Sequence, residues 1–236
     1  MTPPEPRHPL TGGRLLVLGG SGQLGRRIAR AAAARGAAVA LAGRDSARLA
    51  EGAGYVGPAT PTITLDLRRP DRFAPALAEV ASRLGGLDGV VNAAGVVAFG
   101  PIAETGDDVI DELIAVDFAG PLKLMRTALG YLAGDGFWVN LTGVVAEQPT
   151  AGLAAYSAVK AALSAASRAA ARELRRSGIR VIDVRPPHTE TGLATRPIAG
   201  AAPALPPGLD PGMVAARVVA AIEAGERELG PADFPA

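Results

Sequence analysis

The segment 14–36, RLLVLGGSGQLGRRIARAAAARG, carries the features that decide the fold. Its apolar start, Arg14–Leu18, is typical of a short buried strand, and the Ala- and Arg-rich stretch 24–35 favours a helix that Gly36 can end. Between them, Gly19–Gly25 forms a glycine-rich turn. A turn of this kind, placed between a strand and a helix, allows backbone N–H groups and the helix dipole to hold a pyrophosphate, although a tight turn without a ligand has the same composition.

The same alternation of apolar runs and helical segments continues along the chain. Short apolar runs are separated by longer segments with the spacing of helices, a pattern that favours βαβ units around a parallel sheet with helices on both faces. Six strands are predicted at 14–18, 37–42, 62–65, 89–92, 137–141 and 179–184, and six helices at 24–35, 71–84, 107–116, 121–132, 156–177 and 211–224. A seventh strand is expected to be short or missing.

Two Pro-rich segments lie outside these elements. Residues 1–12 are expected to form a flexible tail, which leaves one domain over 13–236. Residues 192–211 hold several Pro together with Ala and Leu, and are therefore too apolar for a solvated linker and too interrupted for a helix or strand. We expect them to form a loop over the substrate site.

The composition excludes several classes of protein. With 236 residues, 48% of them apolar, and a mean hydropathy of +0.22, the chain can bury a core as one globular domain. Its 24 Lys and Arg are balanced by 23 Asp and Glu, so we expect no nucleic-acid partner. No Cys and only two His are present, so no metal site is predicted. The chain has no apolar leader core and no uninterrupted apolar stretch of about 18 residues, so we expect no membrane partner and a cytoplasmic location.

A tyrosine and a lysine four residues apart supply the clearest chemical signal. Tyr156 and Lys160 fall in a predicted helix, where positions four apart share a face. There the ammonium group of Lys160 favours the phenolate form of Tyr156, which lowers the pKa of the phenol towards working pH. Because the chain contains only three Tyr and two Lys, this spacing rarely arises by accident. The pair therefore predicts general acid–base catalysis by Tyr156.

The order of five motifs along the chain resembles the short-chain dehydrogenase/reductase family. The motifs are the turn 19–25, Asp66 after the third strand, Asn92–Gly95 after the fourth, the Tyr156 and Lys160 pair, and Pro186–Thr191 after the sixth. The resemblance covers nearly the whole chain. It implies a single-domain, Rossmann-type, doubly wound parallel sheet that binds a nicotinamide cofactor across the carboxyl ends of the strands.

The resemblance also implies roles for individual residues. Tyr156 is expected to be the general acid or base of an oxidoreductase that acts on a carbonyl compound or an alcohol, with Lys160 binding the nicotinamide ribose and activating Tyr156. Asp66 is expected to meet the adenine, Asn92 and Gly95 to shape the cofactor wall, and Thr191 to contact the nicotinamide end. The cofactor-binding set is Gly19, Ser21, Gly22, Gln23, Leu24, Gly25, Asp66, Leu67, Asn92, Ala93, Gly95, Tyr156, Lys160, Pro186 and Thr191.

The end of the second strand predicts which nicotinamide cofactor is used. An NAD-type domain places an acidic residue at this point for the ribose 2′-hydroxyl, but here the position is Gly43, and Arg44 follows it. A guanidinium group suits a 2′-phosphate. NADP(H) is therefore favoured over NAD(H), unless Arg44 simply begins a solvated helix.

Two positions depart from the family's catalytic pattern. Gly143, thirteen residues before Tyr156, stands where the family has its catalytic serine, and Asp117 stands where it has an asparagine of its proton relay. Thr142, a backbone N–H or a water is expected to replace the serine hydroxyl, although alternation along a strand turns Thr142 to the other face unless the strand end is twisted. The charge of Asp117 is expected to raise the pKa of Tyr156. The catalytic candidates are thus Tyr156, Lys160, Asp117 and Thr142.

These departures leave a second interpretation open. A protein of the same family that does no net redox chemistry would be a cyclase, dehydratase or isomerase that moves protons with Asp117, Tyr156 or His188, or a cofactor-binding regulatory or partner subunit. In either interpretation the candidate substrate residues are Gly143, Glu147 and His188. Glu147 follows the fifth strand, and the His188 imidazole can donate to a substrate oxygen.

Small residues on the longest predicted helix favour close helix pairing. Positions three and four apart on this helix carry Ala158, Ala161, Ala162, Ala165, Ala166 and Ala169. The family resemblance likewise implies a homodimer or homotetramer built on this helix, although an alanine face can also pack within one chain. The preference for Arg over Lys is typical of GC-rich bacteria, where members of the family often serve natural-product biosynthesis.

Overall fold

Seven parallel strands form one sheet in the computed structural model, which describes residues 10–235. The strands are β1 (Arg14–Leu18), β2 (Ala38–Gly43), β3 (Thr62–Thr64), β4 (Leu87–Asn92), β5 (Leu132–Leu141), β6 (Arg180–Val184) and β7 (Glu228–Leu229). They lie in the order β3-β2-β1-β4-β5-β6-β7. The predicted doubly wound α/β sheet is confirmed, and its seventh strand is short, as expected.

Helices cover both faces of the sheet. They are α1 (Gln23–Ala33), α2 (Ser46–Val56), α3 (Phe73–Leu84), α4 (Asp107–Ile114), α5 (Gly120–Ala128), α6 (Ala154–Glu173) and α7 (Pro211–Ala224). The list of predicted helices omitted α2, whose interior contains two helix-weakening glycines. One of them has a structural reason, since a Cβ at Gly52 would lie 2.6 Å from the carbonyl oxygen of Gly20. Helix α2 therefore packs directly against the glycine turn.

The alternation of side chains along the strands divides the core into two layers. Leu15 and Val17 face one layer with α1, α2 and α7, whereas Leu16 and Leu18 face the other with α3 to α6. Strand β1 is buried on both faces, as a central strand of a parallel sheet should be. The apolar run that begins the segment 14–36 therefore holds both halves of the core together.

The segment between β4 and β5 is more continuous than predicted. Helices α4 and α5 are joined by a π-helical turn, Ala115–Ala119, so the chain does not break between them. Helix α5 ends at Ala128 rather than at residue 132, and β5 begins earlier than predicted, at Leu132. The widened turn carries Asp117 into the interior, where its side chain is fully buried.

The start of the domain also differs from the prediction. Residues 1–9 of the predicted tail lie outside the described residues, but Leu10 is buried in the core and the N–H of Gly12 donates to the carbonyl oxygen of Gly36 at 3.0 Å. Residues 10–12 thus belong to the domain. Within residues 10–235, none of the helices is both long enough and apolar enough to cross a membrane.

Candidate active site

A cleft of about 660 Å³ opens along the carboxyl ends of the strands. Its floor lies where the sheet order reverses, because the chain leaves β1 on one side towards β2 and returns on the other side as β4. Ligands of open α/β sheets bind at such switch points. The cleft brings together the glycine turn, the ends of β2 and β4, the start of α6 and the loop after β6.

The glycine turn forms one end of the cleft. Gly19 has φ +70°, and a Cβ there would lie 2.6 Å from the carbonyl oxygen of Ala93, so only glycine fits this close approach. Helix α1 begins after Gly22 without any side-chain cap, which leaves its first N–H groups directed towards the cleft. Ser21, Gln23, Leu24 and Gly25 line the cleft beside them. The turn therefore fits the phosphates of a dinucleotide.

Two arginines line the cleft beside the turn. One is Arg44, as predicted, and the other is Arg48, which sequence reasoning missed although it lies in the first turn of α2. The exposed guanidinium of Arg44 lies 3.8 Å from the carboxylate of Glu112. Both arginines line the cleft near the end of β2 at Gly43, and a guanidinium group suits a phosphate.

Asp66 and Leu67 line the next part of the cleft, as expected. Arg68 donates from Nε and Nη2 to the carboxylate of Asp66, and these hydrogen bonds hold the pKa of Asp66 below its usual range. Asp66 is therefore an acceptor that is ionised at neutral pH. It is suited to an amino group such as that of adenine.

The wall formed after β4 contains both lining and supporting residues. Ala93 and Gly95 line the cleft, whereas Asn92 is buried behind it. The side-chain amide of Asn92 donates to Oδ1 of Asn140 at 3.1 Å, and its oxygen accepts from the N–H of Ala94 at 3.3 Å. Asn92 thus fixes the wall from behind rather than facing the cofactor.

Tyr156 and Lys160 meet at the opposite end of the cleft from Arg44. Both line it from α6, and Nζ of Lys160 lies 5.6 Å from the centre of the Tyr156 ring. The same ammonium lies 3.1 Å from Oδ1 of Asp117 and donates to the carbonyl oxygen of Leu141 at 3.4 Å. Asp117 itself does not line the cleft but lies behind Lys160. The sequence did not predict this direct ion pair.

The ion pair sets the electrostatics of the phenol. Burial raises the pKa of Tyr156, the charge of Lys160 lowers it, and the charge of Asp117 raises it again, so that it lies above the ordinary value for tyrosine. Burial lowers the pKa of Lys160, but Asp117 and Tyr156 outweigh burial and keep its pKa above the usual range. Lys160 is therefore an ammonium ion at neutral pH, with part of its charge neutralised by Asp117.

Gly95 makes room for this pair. A Cβ at Gly95 would lie 2.7 Å from Oδ1 of Asp117 and 3.3 Å from Nζ of Lys160. The second oxygen of Asp117 accepts from the N–H of Val96 at 3.3 Å. The wall after β4 and the π-helical turn are therefore tied together at the catalytic end of the cleft.

The structure gives no support to Thr142 as a replacement for the serine hydroxyl. Its hydroxyl is buried and donates to Oδ1 of Asp183 on β6 at 2.7 Å, as strand alternation favours. Gly143 does line the cleft, with φ +104°. Because a side chain is strained at this φ, replacing Gly143 by serine would not simply restore the missing hydroxyl.

Of the other substrate candidates, His188 lines the cleft and Glu147 does not. The carboxylate of Glu147 instead pairs with Arg185, a buried arginine that also pairs with Asp183. Glu147 is thus held outside the cleft by a partner far away in the sequence, at the end of β6. Pro186 and Thr191 line the cleft as expected. Among residues 10–235, no three His, Asp or Glu side chains are grouped as a metal site would require.

The chain is similar to known proteins in both sequence and structure. The sequence model of the family described as short chain dehydrogenase matches residues 14–199. An oxidoreductase of Staphylococcus epidermidis is 30% identical over 178 residues, covering 75% of this chain and 77% of the relative. The sorbitol dehydrogenase of Cereibacter sphaeroides is 31% identical over 180 residues, covering 75% of this chain and 70% of that protein. A short chain dehydrogenase from Burkholderia cenocepacia, solved in complex with NADP, superposes with a TM-score of 0.82 at 30% identity, covering 94% of this chain and 96% of that one.

Proposed function

Since this chain belongs to the short-chain dehydrogenase family, we propose that it is an NADP(H)-dependent oxidoreductase that interconverts a carbonyl compound and an alcohol. The observation that carries the proposal is the position of Tyr156 and Lys160 on one face of α6, in the wall of the cleft that the glycine turn also lines. A proton donor and a dinucleotide-binding turn in one cleft are what carbonyl reduction requires.

The proposed reaction needs a hydride and a proton. When bound, a reduced nicotinamide supplies the hydride to the carbonyl carbon. The phenol of Tyr156 donates its proton to the carbonyl oxygen, so that the two electrons of the hydride and the two hydrogens together give the alcohol. The charge of Lys160 stabilises the phenolate that remains, and in the opposite direction this phenolate takes the proton of the alcohol.

The direct test is turnover with NADPH. We expect a ketone to cause loss of NADPH absorbance at a rate proportional to protein concentration, with equal amounts of NADP⁺ and alcohol formed. If NADPH absorbance stays constant with every ketone and aldehyde tried, the redox function is wrong.

A second function is favoured by two observations in the catalytic end of the cleft. Gly143 offers no hydroxyl, and Asp117 neutralises part of the Lys160 charge that activates Tyr156. The missing hydroxyl slows carbonyl reduction, because the loss of one donor to the substrate oxygen costs about 10²- to 10³-fold in rate. The neutralisation of Lys160 slows it as well, because less positive charge is left to stabilise the phenolate of Tyr156. The second candidate is therefore a proton-transfer enzyme or a cofactor-binding partner subunit, and it is expected to bind NADPH without oxidising it.

The preference for NADP(H) gives a prediction for Arg44. In Arg44→Ala we expect the ratio of the NADH to the NADPH dissociation constants to fall by about tenfold or more, because only NADPH carries the 2′-phosphate that a guanidinium can bind. Calorimetric titration of both cofactors measures this. The control is Arg83→Ala, which removes an exposed arginine paired with Glu79 on α3. Equal dissociation constants for NADPH and NADH in the unmodified chain would contradict the preference.

The alanines of α6 give a prediction for assembly. Ala158, Ala165 and Ala169 are exposed and the other three members of the stripe are half-buried, so packing within one chain leaves much of it uncovered. We expect light scattering at micromolar concentration to give a mass of at least two 23.8 kDa chains, and Ala165→Arg to give the mass of one. Ala78→Arg, at an exposed position of α3, is the control. A monomeric unmodified chain would refute pairing through α6.

Two classes of alcohol are candidate substrates for the proposed oxidoreductase. One relative is named for a polyol, sorbitol. A polyhydroxylated alcohol is therefore one candidate substrate, and an alcohol with hydrocarbon groups on both sides is another.

A further inference from the structure

Resting on the proposed oxidoreductase function, we propose that the substrate is a secondary alcohol or ketone whose reacting carbon is flanked by hydrocarbon groups, and that polyols are excluded. The part of the cleft beyond Tyr156 carries this inference. Its walls are mostly apolar, several of its polar groups have partners within the protein, and Gly143 adds space beside the reacting position.

The apolar wall is built by three segments. One follows β4, one follows β5 and leads into α6, and one is the loop after β6. Together they contribute Val97, Phe99, Val144, Val145, Leu153 and Ile198 to the lining of the cleft. Branched aliphatic and aromatic side chains stabilise hydrocarbon by removing it from water, and they offer no hydrogen bond to a hydroxyl group.

Backbone hydrogen bonds hold these segments together and use their polar groups. The N–H of Ile198 donates to the carbonyl oxygen of Val97 at 2.8 Å, and the N–H of Phe99 donates to that of Ala199 at 2.9 Å. The N–H of Val144 likewise donates to the carbonyl oxygen of Pro186 at 3.0 Å. These backbone N–H groups are thus bonded to backbone carbonyl groups of the neighbouring segments, and the hydrogen bonds fix the wall in place.

Several polar side chains in the same region also have partners within the protein. The hydroxyl of Thr150 donates to the carbonyl oxygen of Gln148 at 3.3 Å, and that of Thr189 donates to Pro187 at 2.9 Å. Nε2 of His188 lies 3.5 Å from the carboxylate of Glu190. Arg196 donates from Nε to the carbonyl oxygen of Gly192 at 2.9 Å. A polyol bound against the apolar wall would lose hydrogen bonds to water that the wall's side chains cannot replace.

Gly143 enlarges the apolar region at the reacting end. The nearest atom to a Cβ placed on Gly143 is the carbonyl oxygen of Pro186, 4.0 Å away, so the space is open. The family's serine would fill part of this space with a hydroxyl. Its absence removes a polar group next to Tyr156 and leaves room for a bulky hydrocarbon substituent on the reacting carbon.

The test compares 1-tetralol with sorbitol, two alcohols of similar size. Both are titrated calorimetrically into the full chain, with and without NADPH, because an alcohol can bind to the NADPH complex but cannot transfer a hydride there. We expect 1-tetralol to bind at least about tenfold more tightly than sorbitol. Val145→Thr keeps the side-chain volume but adds a hydroxyl, and in this variant the affinity for 1-tetralol should fall by about fivefold. Val56→Thr, half-buried on α2 and outside the cleft, should leave it unchanged.

The possible results distinguish a failure of the apolar substrate class from a failure of the proposed oxidoreductase function. Equal or tighter binding of sorbitol, no binding of either alcohol, or an unchanged affinity for 1-tetralol in Val145→Thr would overturn the apolar substrate class. Thermal unfolding of both variants checks that they fold. If 1-tetralol binds as expected but no ketone causes oxidation of NADPH, the apolar site stands and the oxidoreductase function fails.

Discussion

Tyr156→Phe is expected to lower the rate of ketone reduction by about 10²- to 10⁴-fold while leaving the dissociation constant of NADPH within about twofold of the unmodified value. The substitution removes only the phenolic oxygen. The ring that packs under Lys160 stays, so the wall of the cleft keeps its shape. The loss therefore reports the proton that the carbonyl oxygen must receive, rather than a collapse of the site.

The matched control for this prediction is Tyr131→Phe. The hydroxyl of Tyr131 donates to the carbonyl oxygen of Ala74 at 3.1 Å, outside the cleft, so its removal should leave turnover unchanged. Steady-state rates of NADPH oxidation and a calorimetric titration of NADPH are the measurements. If Tyr156→Phe keeps more than about a tenth of the parent rate, another group protonates the substrate oxygen, and His188 is the next group to replace.

The fold and the outline of the site were predictable because they depend on local patterns. Strand β1, the glycine turn and the pair on α6 each lie within one short stretch, where periodicity and spacing determine the local structure. The order of the motifs then placed them at one edge of the sheet, since parallel strands bring their carboxyl ends together. Nearly all of the predicted cofactor residues do line the cleft, Asn92 being the buried exception.

The remaining features depend on contacts between distant parts of the chain. Glu147 pairs with Arg185 and Thr142 with Asp183, and neither pairing has a local signal in the sequence. The approach of Asp117 to Lys160 depends on a π-helical turn, and a sequence pattern with the period of an α-helix does not reveal such a turn. Arg48 was missed because a helix beginning at Arg44 was considered only as a solvated helix, so its first turn was not placed beside the cleft.

The Asp117 and Lys160 pair is the feature that most affects how the site titrates. Asp117 raises the pKa of Tyr156, and Lys160 lowers it. The groups that face the pair are Tyr156 from α6, Asp183 from β6 and Glu112 from α4. Replacing Asp117 by Asn keeps an oxygen for the N–H of Val96 but removes the negative charge that raises the pKa of Tyr156. The pKa of Tyr156 should then fall.

Asp117→Asn is therefore expected to move the acid limb of alcohol oxidation to lower pH. Oxidation needs the phenolate of Tyr156 as the base, so its rate rises as the pH passes through the pKa of this phenol, and a lower pKa moves that rise to lower pH. The pH dependence of the oxidation rate with saturating NADP⁺ measures the shift. Asp111→Asn, an equal change of charge at an exposed position of α4, should leave the limb in place. An acid limb that stays fixed in Asp117→Asn, or moves to higher pH, would mean that Asp117 does not act on the charge at Tyr156.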